Sequence, residues 1–275
     1  MEEQRFYDGI LFVIVVYEKA LGQVSSLKKI TEFYHRRNLE PAILVYDNSK
    51  LSQSASGFIN YIHDASNAGV SRAYNVAADF AVEQKKAWMC LLDQDTDADE
   101  RMLSAYYKSF CEFPNQHVFL PKIISFGKII SPYKTFLGKG YSALAISAGR
   151  QGTKKFSVIN SGVLIDVKTF KKAGGYDELY PLDLSDFVFW KRVSKIETTF
   201  VVTDSSCEHH HSARVNQIEQ AIMRFEIFLR ANKQYRRDTH GMTLIPVVFR
   251  GLKLSWRFRS LLFLNLALKS FTQPM

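Results

Sequence analysis

Cysteine is scarce in this chain: Cys90, Cys111 and Cys207 are the three among 275 residues, odd in number, far apart and without a C-x-x-C pair. That pattern argues against a disulfide framework or a cysteine-built zinc site and suits a reducing compartment. No apolar stretch reaches the about 18 to 20 residues that a membrane-spanning helix needs. The opening Met-Glu-Glu-Gln-Arg-Phe-Tyr-Asp has acidic residues and no apolar h-region before the first strand, so no secretory signal is read there and a cytoplasmic location is expected. Walker A and G-x-G-x-x-G fingerprints are missing, which disfavours an ATPase or a dehydrogenase. RNP, zinc-finger and helix-turn-helix patterns are missing too, so nucleic acid is not an expected partner. Without an internal repeat or low-complexity linker, a second independent domain is not indicated.

A hydrophobic content of 47% with 23% charged residues is that of a folded chain with a large core. The net charge of +9 is unevenly distributed. From Arg224 onward ten Lys or Arg face only Glu226 and Asp238, a net +8, and the remainder is nearly neutral. In that tail Arg250, Lys253 and Arg257 fall on one helical face, with Leu252, Trp256 and Phe263 available for an interface, beside the apolar run Leu261 to Leu268. Residues 241–275 are therefore read as a membrane-surface segment, the alternative being a C-terminal helix packed on its own domain.

Hydrophobic periodicity predicts alternating strands and helices in the first half. Ile10 to Tyr17 is a continuous β-branched and aromatic run, and Val24, Leu27, Ile30 and Tyr34 recur at helical spacing. Ala42 to Tyr46 reads as a second strand, Phe58 to Ile62 as a short third, Ser71 to Val82 as a helix, and Ala87 to Leu92 as a strand ending at Asp93. This order predicts an α/β fold with a largely parallel sheet and helices on both faces, whose ligands bind at the carboxyl ends of the strands. Later, Val118 to Ile124 reads as a strand, Ser125 to Gln151 as an irregular excursion whose length and glycine content allow it to close as a lid, and Phe156 to Ile165 as a strand interrupted at Asn160-Ser161-Gly162. Gly174 to Glu178 reads as a turn, and helical patterning returns over Asp186 to Val193 and Gln217 to Tyr235.

Asp93-Gln94-Asp95, closing its strand with two carboxylates, is the most informative motif. Ionised carboxylates avoid a dry core, and oxygen ligands of this kind suit Mg²⁺ or Mn²⁺, which complete their shell with water and substrate phosphates. Asp95 is the candidate for direct or water-mediated metal contact, with Asp93 reaching a ribose or sharing the metal shell. A solvated turn is the alternative for the pair.

In order along the chain, Val13-Ile14-Val15-Val16-Tyr17, Tyr46-Asp47-Asn48-Ser49, Asn67 to Asn75, Leu92-Asp93-Gln94-Asp95-Thr96, Asn160-Ser161-Gly162, Gly174 to Glu178, Asp183-Leu184-Ser185-Asp186 and Glu208-His209-His210-His211-Ser212 together resemble family 2 glycosyltransferases of the rhamnosyltransferase-like branch. The resemblance implies a GT-A type fold over 1–240: a Rossmann-like nucleotide-sugar half (1–97), an acceptor half (98–240) and a helical C-terminal segment. It also implies an inverting transferase that moves a sugar, plausibly rhamnose from dTDP-rhamnose, onto a saccharide acceptor. The acceptor is expected to be a lipid-linked precursor of a cell-surface polysaccharide, an O-antigen or capsule, with the enzyme peripheral on the inner face of the cell membrane. A UDP-hexose donor, and a catalytically silent nucleotide-binding module, are the alternatives.

The same resemblance places Asp47 and Tyr17 against the nucleotide, although Asp47 also fits an Asx-turn. Asn67, Gly69, Arg72 and Asn75 fall in the donor-binding loop and helix start. There Gly69 lets backbone approach a ligand, helix N-terminal amides and Arg72 suit a diphosphate, and Asn75 either binds the donor or braces the loop. Asp186 is the first candidate for the catalytic base and Asp183 the second; where many relatives have consecutive Glu-Asp this chain has Asp183-Leu184, and Asp186 alternatively caps a helix. His209, three residues before Ser212, is the candidate histidine at the metal or diphosphate.

Overall fold

The computed structural model describes residues 2–55, 57, 59–136, 139–142, 146–208, 217–239 and 244–272. Short helix α1 (Glu2–Asp8) leads into β1 (Ile10–Val16), all seven residues of which are buried. Its odd-numbered side chains Leu11, Val13 and Val15 enter one core and the even-numbered Ile10, Phe12, Ile14 and Val16 the other, as strand alternation dictates for a sheet covered on both faces. There follow α2 (Ser25–His35), β2 (Ala42–Asp47), β3 (Ile59–His63), α3 (Val70–Glu83) and β4 (Trp88–Asp93). β1 pairs in parallel with β2 and β4, and β2 in parallel with β3, the order expected for connected β-α units.

Helix α4 (Glu100–Glu112), which periodicity had not singled out, starts at Asp99, whose carboxylate accepts from the Met102 amide at 2.9 Å. Met102, Leu103 and Tyr106 bury its inner face against the core shared by α1 and α2. The second half contributes β5 (Val118–Ser125), β6 (Lys128–Ser131), β7 (Tyr133–Phe136), β8 (Lys139–Ser142), β9 (Gly149–Gly152), β10 (Val163–Asp166), α5 (Val167–Lys172), α6 (Ser185–Val193) and β11 (Thr199–Glu208). Across the main sheet the strands run β3-β2-β1-β4-β10-β5-β11-β9, with β6 paired to β5. β10 is antiparallel to both β4 and β5, and β11 is parallel to β5. The α/β architecture with a mostly parallel central sheet is as expected.

Two local expectations are corrected. Residues 125–151 contain short antiparallel strands: β6 folds back on β5, and β7 pairs with β8 in a separate ribbon. The strand expected from Phe156 is confined to Val163–Asp166, because Gly162 turns the chain at φ +75° and its amide bonds the carbonyl of Leu91.

Helices α7 (Ile218–Thr239), α8 (Leu244–Phe258) and α9 (Leu262–Thr272) share a separate small core, built from Ala221, Phe225, Phe228, Leu229, Val247, Phe263 and Ala267. It is joined to the larger unit through α6: Lys191 Nζ donates to Tyr235 Oη at 2.6 Å, and the Phe187 and Tyr235 rings lie 5.7 Å apart. Tyr180 donates to Asp238, and Arg250 Nη1 reaches Asp183 Oδ1 at 3.4 Å while its guanidinium covers the Phe228 ring.

Candidate active site

Register sets the two acids of the first half side by side. Val15 of β1 is opposite Asp93 and Val16 is opposite Asp47, so both carboxylates flank the carboxyl end of the central strand. Asp93 is partly exposed and serves as the hub of the site. Ser161 Oγ donates to its Oδ2 at 2.6 Å, and Asn160 Nδ2 (3.2 Å) and Tyr74 Oη (3.4 Å) reach its Oδ1. Asn160 also donates to Tyr74 Oη at 2.5 Å. These donors come from α3 and from the turn before β10, which enters the mouth only because β10 runs antiparallel to β4.

Asp186 faces the same cluster from the first turn of α6. Leu184, with φ +67° and no side-chain cap, occupies the N-cap position, so the carboxylate of Asp186 does not cap the helix. It accepts instead from Tyr176 Oη at 3.4 Å and from the Asn160 amide. Burial, reinforced by the charge of Asp93, pushes its pKa up to about 8, a shift that the two hydrogen bonds only partly oppose. Tyr176 stacks on Phe189 at 4.2 Å and lies 5.2 Å from the Tyr74 ring. Burial holds both phenols protonated, as hydrogen-bond donors to the two acids.

Asp95, two residues beyond Asp93, is held by a lysine. Lys19 Nζ lies 3.1 Å from its Oδ1 and 3.0 Å from the carbonyl of Gln94. Tyr17 presents an exposed ring, and its amide donates to Gln94 Oε1 at 2.8 Å. The carboxylates of Asp93 and Asp95 are hard oxygen donors, and Asp95 already holds a cationic group, chemistry that fits Mg²⁺ or Mn²⁺. Among the described residues no three or more His, Cys, Asp or Glu cluster to enclose an ion. A metal here would rest on Asp93 and Asp95, with water and substrate oxygens completing its shell. His209 lies outside the described residues.

The remaining expected positions sort by what they touch. Asp47 is fully buried in the anticipated Asx-turn, with the Ser49 amide on Oδ1 at 2.9 Å, and Tyr61 Oη (2.7 Å) and Gln53 Nε2 (3.0 Å) on Oδ2. Burial raises its pKa, but the bonds from Ser49, Tyr61 and Gln53 outweigh this and hold the carboxyl below its ordinary value. Asn67 is exposed with φ +51°. Gly69 owes its identity to packing: at φ +91° a Cβ would lie 2.2 Å from the Pro181 carbonyl oxygen. The Val70 amide donates to that same oxygen at 2.8 Å and Ser71 Oγ to the Tyr180 carbonyl at 2.6 Å, so part of the α3 N-terminus expected to face a phosphate is covered by protein.

Arg72 is half exposed, 3.9 Å from Glu178. Asn75 braces the 174–178 turn, accepting from the Tyr176 amide at 2.9 Å and donating to the Tyr176 carbonyl at 3.0 Å and to Glu178 at 3.1 Å. Its amide is thereby committed to protein. Asp183 turns toward Arg250, and its Oδ2 is buried with no hydrogen-bond partner among the described residues. The structure thus brings Asp93 and Asp186 together and keeps Asp183 with the C-terminal helices. Sequence reasoning missed Tyr74, Tyr176 and Ser161 as site groups, and Lys19 altogether; an isolated Lys after the first strand gave no periodic or motif signal.

No family model matches the sequence, and no curated protein matches it. Among solved structures it is similar to GalNAc-T7 with UDP, GalNAc and Mn²⁺, with TM-score 0.54 and 11% identity over 74% of this chain. That match spans 44% of the GalNAc-T7 chain, less than half its length. The fold is of the GT-A type.

Proposed function

We propose that the chain is an inverting, metal-dependent glycosyltransferase taking its sugar from a nucleoside diphosphate donor. The observation that carries this is the Asp93–Asp186 cluster at the carboxyl edge of a GT-A sheet, with Asp186 raised to about 8. A base working near neutral pH must gain and lose a proton there, and the ordinary carboxylate range is too low for that. Asp186, deprotonated, takes the acceptor hydroxyl proton, and Tyr176 holds its orientation. Asp93, held by Ser161, Asn160 and Tyr74, is positioned for the donor ribose or a metal-bound water. A divalent ion, when bound at Asp93 and Asp95, supplies Lewis-acid stabilisation of charge on the departing diphosphate.

Tyr17, Asp47, Asn67 and Arg72 form the donor side in this proposal, with Gly69 holding the loop against Pro181 and Asp47 meeting the base only after Gln53 and Tyr61 release it. Asp183 is the second candidate base. Rhamnose from a dTDP donor, a lipid-linked saccharide acceptor and membership of family 2 rest on the sequence motifs. A UDP-linked donor is the second reading, favoured by the UDP held in the GalNAc-T7 structure.

The test is thermal-shift binding of dTDP, UDP, GDP and CMP with and without Mn²⁺, followed by release of nucleoside diphosphate from the matching sugar donor in wild type, Asp95→Ala and Asp186→Asn. Stabilisation that needs the metal and disappears in Asp95→Ala, with turnover lost in Asp186→Asn, supports the proposal. A flat panel in all three proteins refutes it.

A further inference from the structure

Helix α8 is apolar on two faces, the inner one completed by Leu254 and Phe258 packed against the small core. Its buried residues are Val247, Gly251 and Ser255, spaced by four. They are small because α9 passes close by: a Cβ on Gly251 would lie 3.0 Å from that of Ala267 and 3.1 Å from the Phe263 carbonyl, and Ser255 Oγ accepts from the Leu264 amide at 3.0 Å. Four large apolar side chains lie on the outer face. Ile245, Phe249, Leu252 and Trp256 follow one another by four, three and four residues and are exposed by 45, 52, 49 and 86%. Leu261 and Leu268 extend the apolar surface along the α9 segment. An ordinary amphipathic helix buries its large apolar stripe in its own protein, and a contiguous exposed patch of this kind marks an interaction surface.

Charge identifies the partner. Lys253 and Arg257 are exposed and follow the stripe along one flank at helical spacing, Arg259 is exposed at the helix end, and no Asp or Glu follows Asp238. A second copy of the chain related by two-fold symmetry would set this basic flank against itself. An anionic lipid surface satisfies both halves of the pattern, taking the apolar side chains into the acyl boundary and the cations at the headgroups. No described helix is long and apolar enough to cross a membrane, so the helices would lie along the surface.

We infer that α8 and the adjoining part of α9 form a docking face for an anionic lipid bilayer, with the Asp183–Arg250 contact fixing the segment that carries Asp186 against that face. The inference deepens the proposed lipid-linked acceptor and rests on that reading for its purpose, since a surface-bound helix tied to the acid segment sets the depth at which a membrane-borne hydroxyl meets Asp186. Its test stands apart from catalysis.

Trp256 is a built-in reporter, because Trp88 and Trp190 are 8 and 3% exposed. The full-length chain, free of nucleotide, is mixed with phosphatidylcholine vesicles with or without phosphatidylglycerol. Expected are a blue shift of tryptophan emission, protection from iodide quenching and co-sedimentation on the anionic vesicles, all reversed by salt. Lys253→Gln lowers the partition coefficient roughly fivefold. Leu252→Glu with Trp256→Glu abolishes sedimentation while leaving the circular dichroism melt and vesicle-free nucleotide binding unchanged. Equal binding to vesicles lacking phosphatidylglycerol overturns the inference. So does a protein that stays in the supernatant, or one whose stripe instead mediates a concentration-dependent dimer lost in the double variant. Loss of nucleotide binding with vesicle binding intact counts against the transferase proposal alone.

Discussion

Replacing Asp186 by Asn isolates the free energy stored in one half-buried carboxyl. Its pKa of about 8, against an ordinary 3.8, means that the folded protein holds this proton far more tightly than the unfolded chain. At about 1.4 kcal/mol per pH unit the shift sets a ceiling of roughly 6 kcal/mol, and partial contact with solvent brings the expected effect down to on the order of 2–3 kcal/mol. The sign follows from linkage. The wild type loses stability from this group as pH climbs from the unfolded value near 4, and the loss levels off above about 8.

Asn carries no charge at any of these values, so the variant gains on the wild type across the same window. Urea unfolding of both proteins in EDTA at about pH 5, 7 and 9 measures the difference. The gap should widen toward alkaline pH while glycosyl transfer disappears. A gap that is constant from acid to alkaline pH would show that Asp186 titrates as an ordinary surface acid, and the argument for it as the base would fall.

Gly69→Ala drives a Cβ to within 2.2 Å of the Pro181 carbonyl at φ +91° and should cost roughly 2–4 kcal/mol in chemical unfolding, whereas Gly22→Ala, with nothing within 4 Å, should not. Lys19→Met frees Asp95 from its ammonium partner and should tighten nucleotide-free Mn²⁺ binding by roughly three- to tenfold in calorimetry, and weaker binding would remove the metal assignment from Asp95. Arg250→Met keeps apolar packing on Phe228 but leaves Asp183 without its cation; because the arginine is partly exposed, a loss of about 1 kcal/mol in the unfolding free energy is expected.

The parallel half of the sheet was legible because β1, β2 and β4 are continuous apolar runs and α2 and α3 carry clear stripes. Both strand-end acids followed from that order. The rest was lost for identifiable reasons. Strands β6 to β9 are four residues each and rich in Gly, Ser and Lys, too short for alternation to emerge. β11 starts apolar and ends in Asp204-Ser205-Ser206-Cys207-Glu208, which disguised its ten-residue length.

Helix α4 did leave a signal, Asp99 followed by Met102, Leu103 and Tyr106. In the site, Asp186 was identified by motif, but its approach to Asp93 depends on the antiparallel placement of β10 and on contacts such as Val70 to Pro181, more than 100 residues apart in sequence. Periodicity holds no record of such pairings. Tyr74 and Tyr176 stand out in neither the helix nor the turn that carries them, since nothing local shows where a phenol's hydroxyl ends.

The reversal of β10 has a consequence for how such a protein can change. Because β5 runs parallel to β4 and β10 runs against both, the chain crosses the carboxyl edge of the sheet at Ser125 and comes back to that edge at Val163, beside Asp93. Among the described residues between these points, the strand pairings with the main sheet go to β5 and β11, and none goes to β1, β2, β3 or β4. Residues can be exchanged there without shifting a pairing among β1, β2, β3 and β4. Sequence variation can therefore accumulate in 126–159 while Asn160 and Ser161 keep delivering the same two hydrogen bonds to the same carboxylate.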